Sequence, residues 1–200
     1  MTGRFGKLLP LRRSTAVAAE LSDQALLAAC GTGDQAALAE LFSRHADALY
    51  RFLGRLRGAD ARDLDDLLQR TFLEALRSIH RFRSDASLRA WLFGIGANVV
   101  RHHVRAEARQ RTFIDRLTLV SPRPAPTPAE VAEHRQLAQR LSEALDQLPE
   151  GLRVPFIMCD VEGLPGLEVA RALDLREGTL WRRLHEARAR LRRSLLGEGS

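Results

Sequence analysis

Lysine and cysteine are nearly missing from this chain, and each shortage removes a class of explanation. Lys7 is the only lysine among 31 basic residues, so the positive charge rests on arginine, the planar, permanently charged fork that suits phosphate oxygens and guanine edges. Cys30 and Cys159 are the only cysteines. Two thiols without CxxC or Cys/His ligand spacing exclude a disulfide framework and point to a reducing, cytoplasmic compartment. No run approaches the ~18 apolar residues that a membrane helix needs. The basic start of the chain (Arg4, Lys7, Arg12, Arg13) is interrupted by Pro10 and by the arginine pair, which leaves no signal-peptide core and reads as a disordered tail over residues 1–21. There is no nucleophile elbow, no HExxH, no phosphate loop and no close carboxylate pair in a glycine-framed pocket. The inventory therefore excludes catalysis, a cofactor and a small-molecule substrate.

What is present is helical. With 200 residues, 45% of them hydrophobic, the chain can bury one ordinary core or two small ones. From Ser22 onward Leu38, Leu41, Phe42, Leu49, Phe52, Leu53 and Leu56 recur at threes and fours, with Asp23 and Asp34 placed as N-caps. Two helices joined at Gly31–Gly33 follow from this pattern. A third is predicted from Ala61 to about Ile79, with Leu64, Leu67, Leu68, Thr71, Phe72, Ala75 and Ile79 in one stripe and Asp63, Asp66 and Arg70 off it. A polar break from His80 to Ser87 precedes a fourth helix from Leu88 to about Arg111, which completes a helical domain over residues 22–118. On that helix Asn98, Arg101, His102 and Arg105 share a face suited to a DNA backbone. The adjacent His102 and His103 point about 100° apart on a helix and have no further ligand in register, so no metal site is expected.

Residues 119–133 contain Ser-Pro-Arg-Pro-Ala-Pro-Thr-Pro, whose prolines cannot continue a helix and favour an extended tether. Such a linker reaches roughly 45 Å. Beyond it helices are predicted at His134–Leu148, Gly151–Val161, Pro165–Leu173 and Gly178–Leu196, a second domain over 134–200. Its segment from Glu168 to Leu180 is a short helix, a tight turn and the start of another helix, the pattern of a helix-turn-helix. Leu180, Leu184, Ala187 and Leu191 form the apolar back of the second helix, which turns Arg182 outward with His185 and Glu186 beside it. Major-groove reading requires that geometry, with side chains near the helix N-terminus reaching base edges.

The two halves resemble, independently and in order, the extracytoplasmic-function (ECF) sigma factors of the sigma-70 family. The second carries Leu148-Pro149, Gly163-Leu164, Glu168-Val169-Ala170, Leu173, Gly178-Thr179-Leu180 and Arg188-Ala189-Arg190-Leu191. The first carries Asp63-Leu64-Asp65-Asp66-Leu67-Leu68-Gln69, Phe72, Phe82-Arg83-Ser84-Asp85, Trp91-Leu92, Ile95 and Asn98. The resemblance implies an all-α fold of two small helical domains and a transcription initiation factor that catalyses nothing itself. Its implied partners are core RNA polymerase, promoter DNA and a cognate anti-sigma factor. Asp63, Asp66, Leu67, Gln69 and Phe72 fall on the helix that docks on the polymerase, where Arg70 departs from the usual glutamate. Arg81, Arg83, Ser84 and Asp85 match the loop that captures a base extruded from the minus ten element, and Asn98, Arg101, His102 and Arg105 extend that surface. Arg176, Thr179, Trp181, Arg182, Arg183, His185 and Glu186 match the reader of the minus thirty-five element. Trp181 and Glu186 depart from the family there. Trp181 is compatible with packing on the core or with pressing on sugars and thymine methyls, Glu186 with accepting from cytosine or pairing with Arg182 or Arg190. Two rivals stand beside this reading: a helix-turn-helix regulator that is not a polymerase subunit, and a helical adaptor or anti-sigma protein.

Overall fold

The computed structural model describes residues 18–58, 63–83, 87–114 and 140–196. The predicted tail up to residue 17, Ser84 and Asp85 of the loop, and the 119–133 linker lie outside the described residues. No strand occurs among the described residues. Helix α1 (Asp23–Gly31) begins at Ser22, whose hydroxyl accepts from the Ala25 N–H at 3.2 Å. The cap is therefore Ser22 and not Asp23, because a capping oxygen must lie one residue before the first turn. Asp23 instead pairs with Arg44 and His45, each at 3.2 Å. Helix α2 (Gln35–Arg57) starts as expected, with Asp34 Oδ1 accepting from the N–H groups of Ala36 and Ala37.

Residues 18–21, read from sequence as part of the tail, are tied down. Ala18 is buried, and the Arg44 guanidinium donates to the carbonyls of Leu21 at 2.8 Å and Ala19 at 2.7 Å. A long-range arginine that collects orphan carbonyls has no local signature in the sequence, so these four residues read locally as part of the tail.

Helix α3 (Leu64–Arg77) buries the expected stripe from Leu64 to Ala75 and leads through a 3₁₀ turn (Ile79–Arg81), where Ile79 is only partly buried, toward α4 (Leu88–Ile114). Phe93 of α4 stacks on Phe52 of α2, with ring centroids 4.3 Å apart and planes 10° from parallel. Trp91 meets Phe82 edge-on at 5.2 Å, a packing contact. In the second half a helical stretch at 140–146 precedes α5 (Glu150–Phe156). Pro155 removes one amide donor from α5, which continues as a π turn at Ile157–Val161. Helices α6 (Gly166–Ala172) and α7 (Glu177–Leu196) follow.

The halves are not isolated lobes. One hydrophobic cluster runs from Phe52, Phe93 and Ala97 into Met158, Val169, Leu180 and Leu184, while a smaller one under α1 joins Leu26, Leu27 and Leu41 to Leu88 and Leu92. Helix α6 lies across α4, and a Cβ on Gly94 would sit 2.5 Å from the Ala172 carbonyl oxygen. Because Phe52 is fully buried against Phe93, Phe52→Ala should lower unfolding free energy by about 3–5 kcal/mol in urea titration followed by circular dichroism.

Candidate nucleic-acid interface

Four turns of α3 carry two different surfaces, because helical periodicity separates residues that sequence neighbours cannot. Asp65, Asp66, Gln69, Arg70 and Leu73 are exposed. Asp66 and Arg70 form an i,i+4 ion pair at 2.9 Å, so the departure at Arg70 neutralises part of the acidic face. Leu67 and Phe72, expected on the docking surface, are instead core residues, Leu67 with 0% exposure. They hold the helix in place. Thr71 is also buried, its hydroxyl donating to the Leu67 carbonyl at 2.7 Å.

Asp63, just ahead of this helix, is half-buried and engaged. Arg57 donates to its Oδ2 at 3.1 and 3.2 Å, and His103 Nε2 of α4 lies 2.5 Å from the same oxygen. Desolvation works to raise the Asp63 carboxyl. Hydrogen bonds from Arg57 and from its own backbone N–H, with the charges of Arg57 and His103, outweigh it and hold the group below the ordinary carboxylate range. Asp63 is thus a junction between α2, α3 and α4 more than a free docking group. Glu107 completes the cluster, so the fold brings His103 two carboxylate neighbours that sequence reading did not find in register. The Arg57 guanidinium lies between both carboxylates, 3.2 Å from Glu107 and 3.1 Å from Asp63, and already supplies the positive charge that a metal ion would bring.

On α4 Asn98, His102 and Arg105 are exposed on one side, as the spacing predicts. Arg101 is different: it holds Asn98 Oδ1 and reaches Glu150 of α5 at 2.9 Å, so in this arrangement it is drawn to the second half. Arg81 and Arg83 are exposed beside the loop. Between α3 and α4 runs a groove of about 880 Å³ lined by Arg70, Leu73, Arg77, Arg81, Asn98 and His102. Arg77 was not singled out from sequence, because only the pairing of α3 with α4 puts it beside Asn98.

The second candidate surface is a helix-turn-helix. Its turn closes when the Leu175 N–H donates to the Ala170 carbonyl at 2.8 Å, with Asp174 at φ 52°, a left-handed position that aspartate tolerates better than most residues. Leu180, Leu184, Ala187 and Leu191 are buried, and Arg176, Arg182, His185 and Glu186 are exposed. Thr179 and Arg183 are only half-exposed. Arg183 leans toward Gly151 of α5, which turns it from the outer face, while Glu186 pairs with Arg190 at 2.7 Å. Asp160 of the π turn receives both arms of Arg188, at 2.6 and 2.7 Å. Trp181 lies across Gly166: a Cβ there would be 2.8 Å from the ring, and the indole is still 53% exposed.

A helix-turn-helix with an outward arginine, set against a helical lobe with its own basic face, gives the chain two candidate surfaces for nucleic acid. Residues 41–110 match the family model for Sigma-70 region 2, and residues 138–191 match that for Sigma-70 region 4. The chain is 36% identical over 177 residues to the ECF RNA polymerase sigma factor SigM of Mycobacterium tuberculosis, covering 88% of this chain and 86% of that one. It is 35% identical over 170 residues to ECF RNA polymerase sigma factor SigE of Mycolicibacterium smegmatis, covering 80% of this chain but 63% of that relative. The solved structure of CnrH in complex with the cytosolic domain of CnrY superposes with a TM-score of 0.63 at 29% identity, over 89% of this chain and 99% of that one. The chain belongs to the ECF subfamily of sigma-70 family RNA polymerase sigma factors.

Because the Asp63 carboxyl is held below its ordinary value, its ion pairs stabilise the fold above the unfolded carboxylate range and cease to do so as pH falls through the folded value. Asp63→Asn should therefore lower stability by about 1 kcal/mol at pH 7. In thermal melts the gap between variant and parent should close as pH is taken below about 4.

Proposed function

We propose that this chain binds core RNA polymerase through the exposed part of α3, reads the minus ten element with α4 and its preceding loop, and reads the minus thirty-five element with α7. It acts by binding and catalyses nothing, and it works in the cytoplasm; no helix among the described residues is long and apolar enough to cross a membrane. The observation that carries the reading is the outward placement of Arg182, Trp181 and His185 on a helix whose opposite side is fixed by four buried residues. That back holds the reading side chains in one orientation, which base-edge discrimination requires. Trp181 adds an apolar surface beside Arg182, chemistry suited to a sugar or a thymine methyl. Asp65, Asp66 and Gln69 form the polymerase-facing part of α3, with Asp63 positioning the helix. Ser84, Asp85, Arg81 and Arg83 are assigned to the loop that receives an extruded base.

The chain also has an anti-sigma partner in this reading, since CnrH was solved with the cytosolic domain of CnrY. A regulator that is not a polymerase subunit is disfavoured, because the first half matches Sigma-70 region 2. The decisive experiment is reconstitution: the purified chain added to core RNA polymerase should direct initiation from specific promoters, and failure with the polymerase of its own organism refutes the proposal.

Arg182→Ala should cost about 1–3 kcal/mol of promoter affinity, read by fluorescence anisotropy of the holoenzyme on minus thirty-five DNA, if the guanidinium reads a base. An unaltered sequence preference would remove Arg182 from the site. Asp66→Arg should weaken binding to core polymerase while leaving thermal stability within about 0.5 kcal/mol, since the position is exposed; equal binding by pull-down would move the docking surface elsewhere.

A further inference from the structure

Gly166, the first residue of α6, is a glycine that its own helix does not require. Among the described residues the glycines with a left-handed φ are Gly33, Gly58 and Gly163. The Gly166 backbone is helical, and alanine favours a helix more than glycine does. What the missing Cβ admits is a ring from the next helix. A Cβ at Gly166 would lie 2.8 Å from Cζ2 and 3.0 Å from Cη2 of Trp181, so the benzo edge of the indole rests on the main chain itself. The fully buried Leu180 fills the space behind, its Cδ2 3.6 Å from the same Cβ position.

The seated ring keeps 53% of its surface exposed, and its place on α7 decides what that surface faces. At 3.6 residues per turn Trp181 stands about 100° from Leu180, about 40° from His185 and about 100° from Arg182. Trp181, His185 and Arg182 thus share one arc of about 100°, and all three are exposed. Trp181 is also near the start of α7 (Glu177–Leu196), the end from which a reading helix reaches base edges. An indole already held on one edge loses little further freedom when DNA arrives. It brings no charge to the phosphates; what it brings is apolar area. In the major groove thymine alone presents an apolar group, its 5-methyl. Deoxyribose is apolar too, but every nucleotide carries one, so contact with a sugar conveys no sequence. A ring in the same arc as two side chains able to bond base edges is placed for the methyl.

We infer that Trp181 is a specificity-determining residue of α7 that selects a thymine in the minus thirty-five element through its 5-methyl group, with Gly166 as the positioning residue that seats the ring. This rests on the sigma-factor reading above. Glycine at residue 166 and tryptophan at residue 181 act as a pair: the first has no side chain so that the second can lie flat against the turn and present a fixed apolar edge. The arrangement exchanges charge for discrimination, because a basic side chain at this place would grip phosphate on any sequence.

The test uses holoenzyme assembled from the full chain and core RNA polymerase. It first selects its promoter from random-sequence duplexes, and each thymine of the minus thirty-five element, on either strand, is then replaced singly by uracil. That exchange removes the methyl group and alters nothing in the protein. At one thymine it should weaken binding roughly 4-fold, the worth of one buried methyl group. Trp181→Ala should bind the thymine and uracil duplexes alike. Gly166→Ala, with helicity by circular dichroism intact, should erase most of the difference by displacing the ring. Trp181→Arg should also lose it, while steepening the dependence of log affinity on log salt by about 1. A selected element without an A·T pair, or a parent holoenzyme indifferent to every uracil exchange, overturns the inference while leaving the sigma-factor reading intact. So does a Trp181→Ala variant that keeps the uracil effect, or a parent that binds thymine and uracil duplexes equally while Trp181→Ala weakens both, the signature of a ring resting on sugar. If the holoenzyme selects no sequence at all, the sigma-factor reading fails and this inference falls with it.

Discussion

Helix α4 has to serve three neighbours at once, and the division of its surface governs the molecule. One side gives Phe93, Ala97 and Val100 to the first core, where Phe93 stacks on Phe52. A second side, bare of side chain at Gly94, receives α6. The third remains exposed, with Asn98, His102 and Arg105. A helix of 3.6 residues per turn has room for three such sides only if none spreads into the next, and the glycine at the crossing keeps the second narrow. The exposed side of α4 is therefore fixed relative to two cores and not one.

Charge is arranged by the same economy. A chain with net charge +6 is expected to show a diffuse basic surface, yet many arginines here are bound to carboxylates: Arg57 with Asp63 and Glu107, Arg188 with Asp160, Arg55 and Arg89 with Glu162. These pairs join elements distant in sequence. Arg182 and Arg105 remain exposed on outer faces. Cys159, beside Asp160 in the π turn, shows the same local logic: burial first, then the neighbouring carboxylate, push its thiol up to about 11, which keeps it protonated and unreactive at neutral pH.

Much of the fold was legible because apolar residues at threes and fours leave little choice of structure. The stripe on α3, the Asp34 cap, the helix-turn-helix and the buried back of α7 all followed from spacing. What spacing does not show has one cause. Residues 18–21 read locally as part of a tail because their partner, Arg44, is more than twenty residues away. Leu67 and Phe72 belong to the docking motif by sequence, and only packing shows that they lie buried beneath its exposed residues. Arg101, Arg183 and Asp63 lie in the expected places but are held by, or leaned toward, distant partners.

The amino-acid order alone determined that the chain is helical, that it has two halves, and which side of each helix faces inward, since hydrophobic periodicity is a local property that burial enforces everywhere along the chain. Only the tertiary structure decided that the halves share a core, that Glu162 is buried between two arginines, and that His103, Asp63, Glu107 and Arg57 meet. Those contacts depend on distances between residues far apart in the chain, and a charge carries no mark in sequence of the partner it will find across a fold.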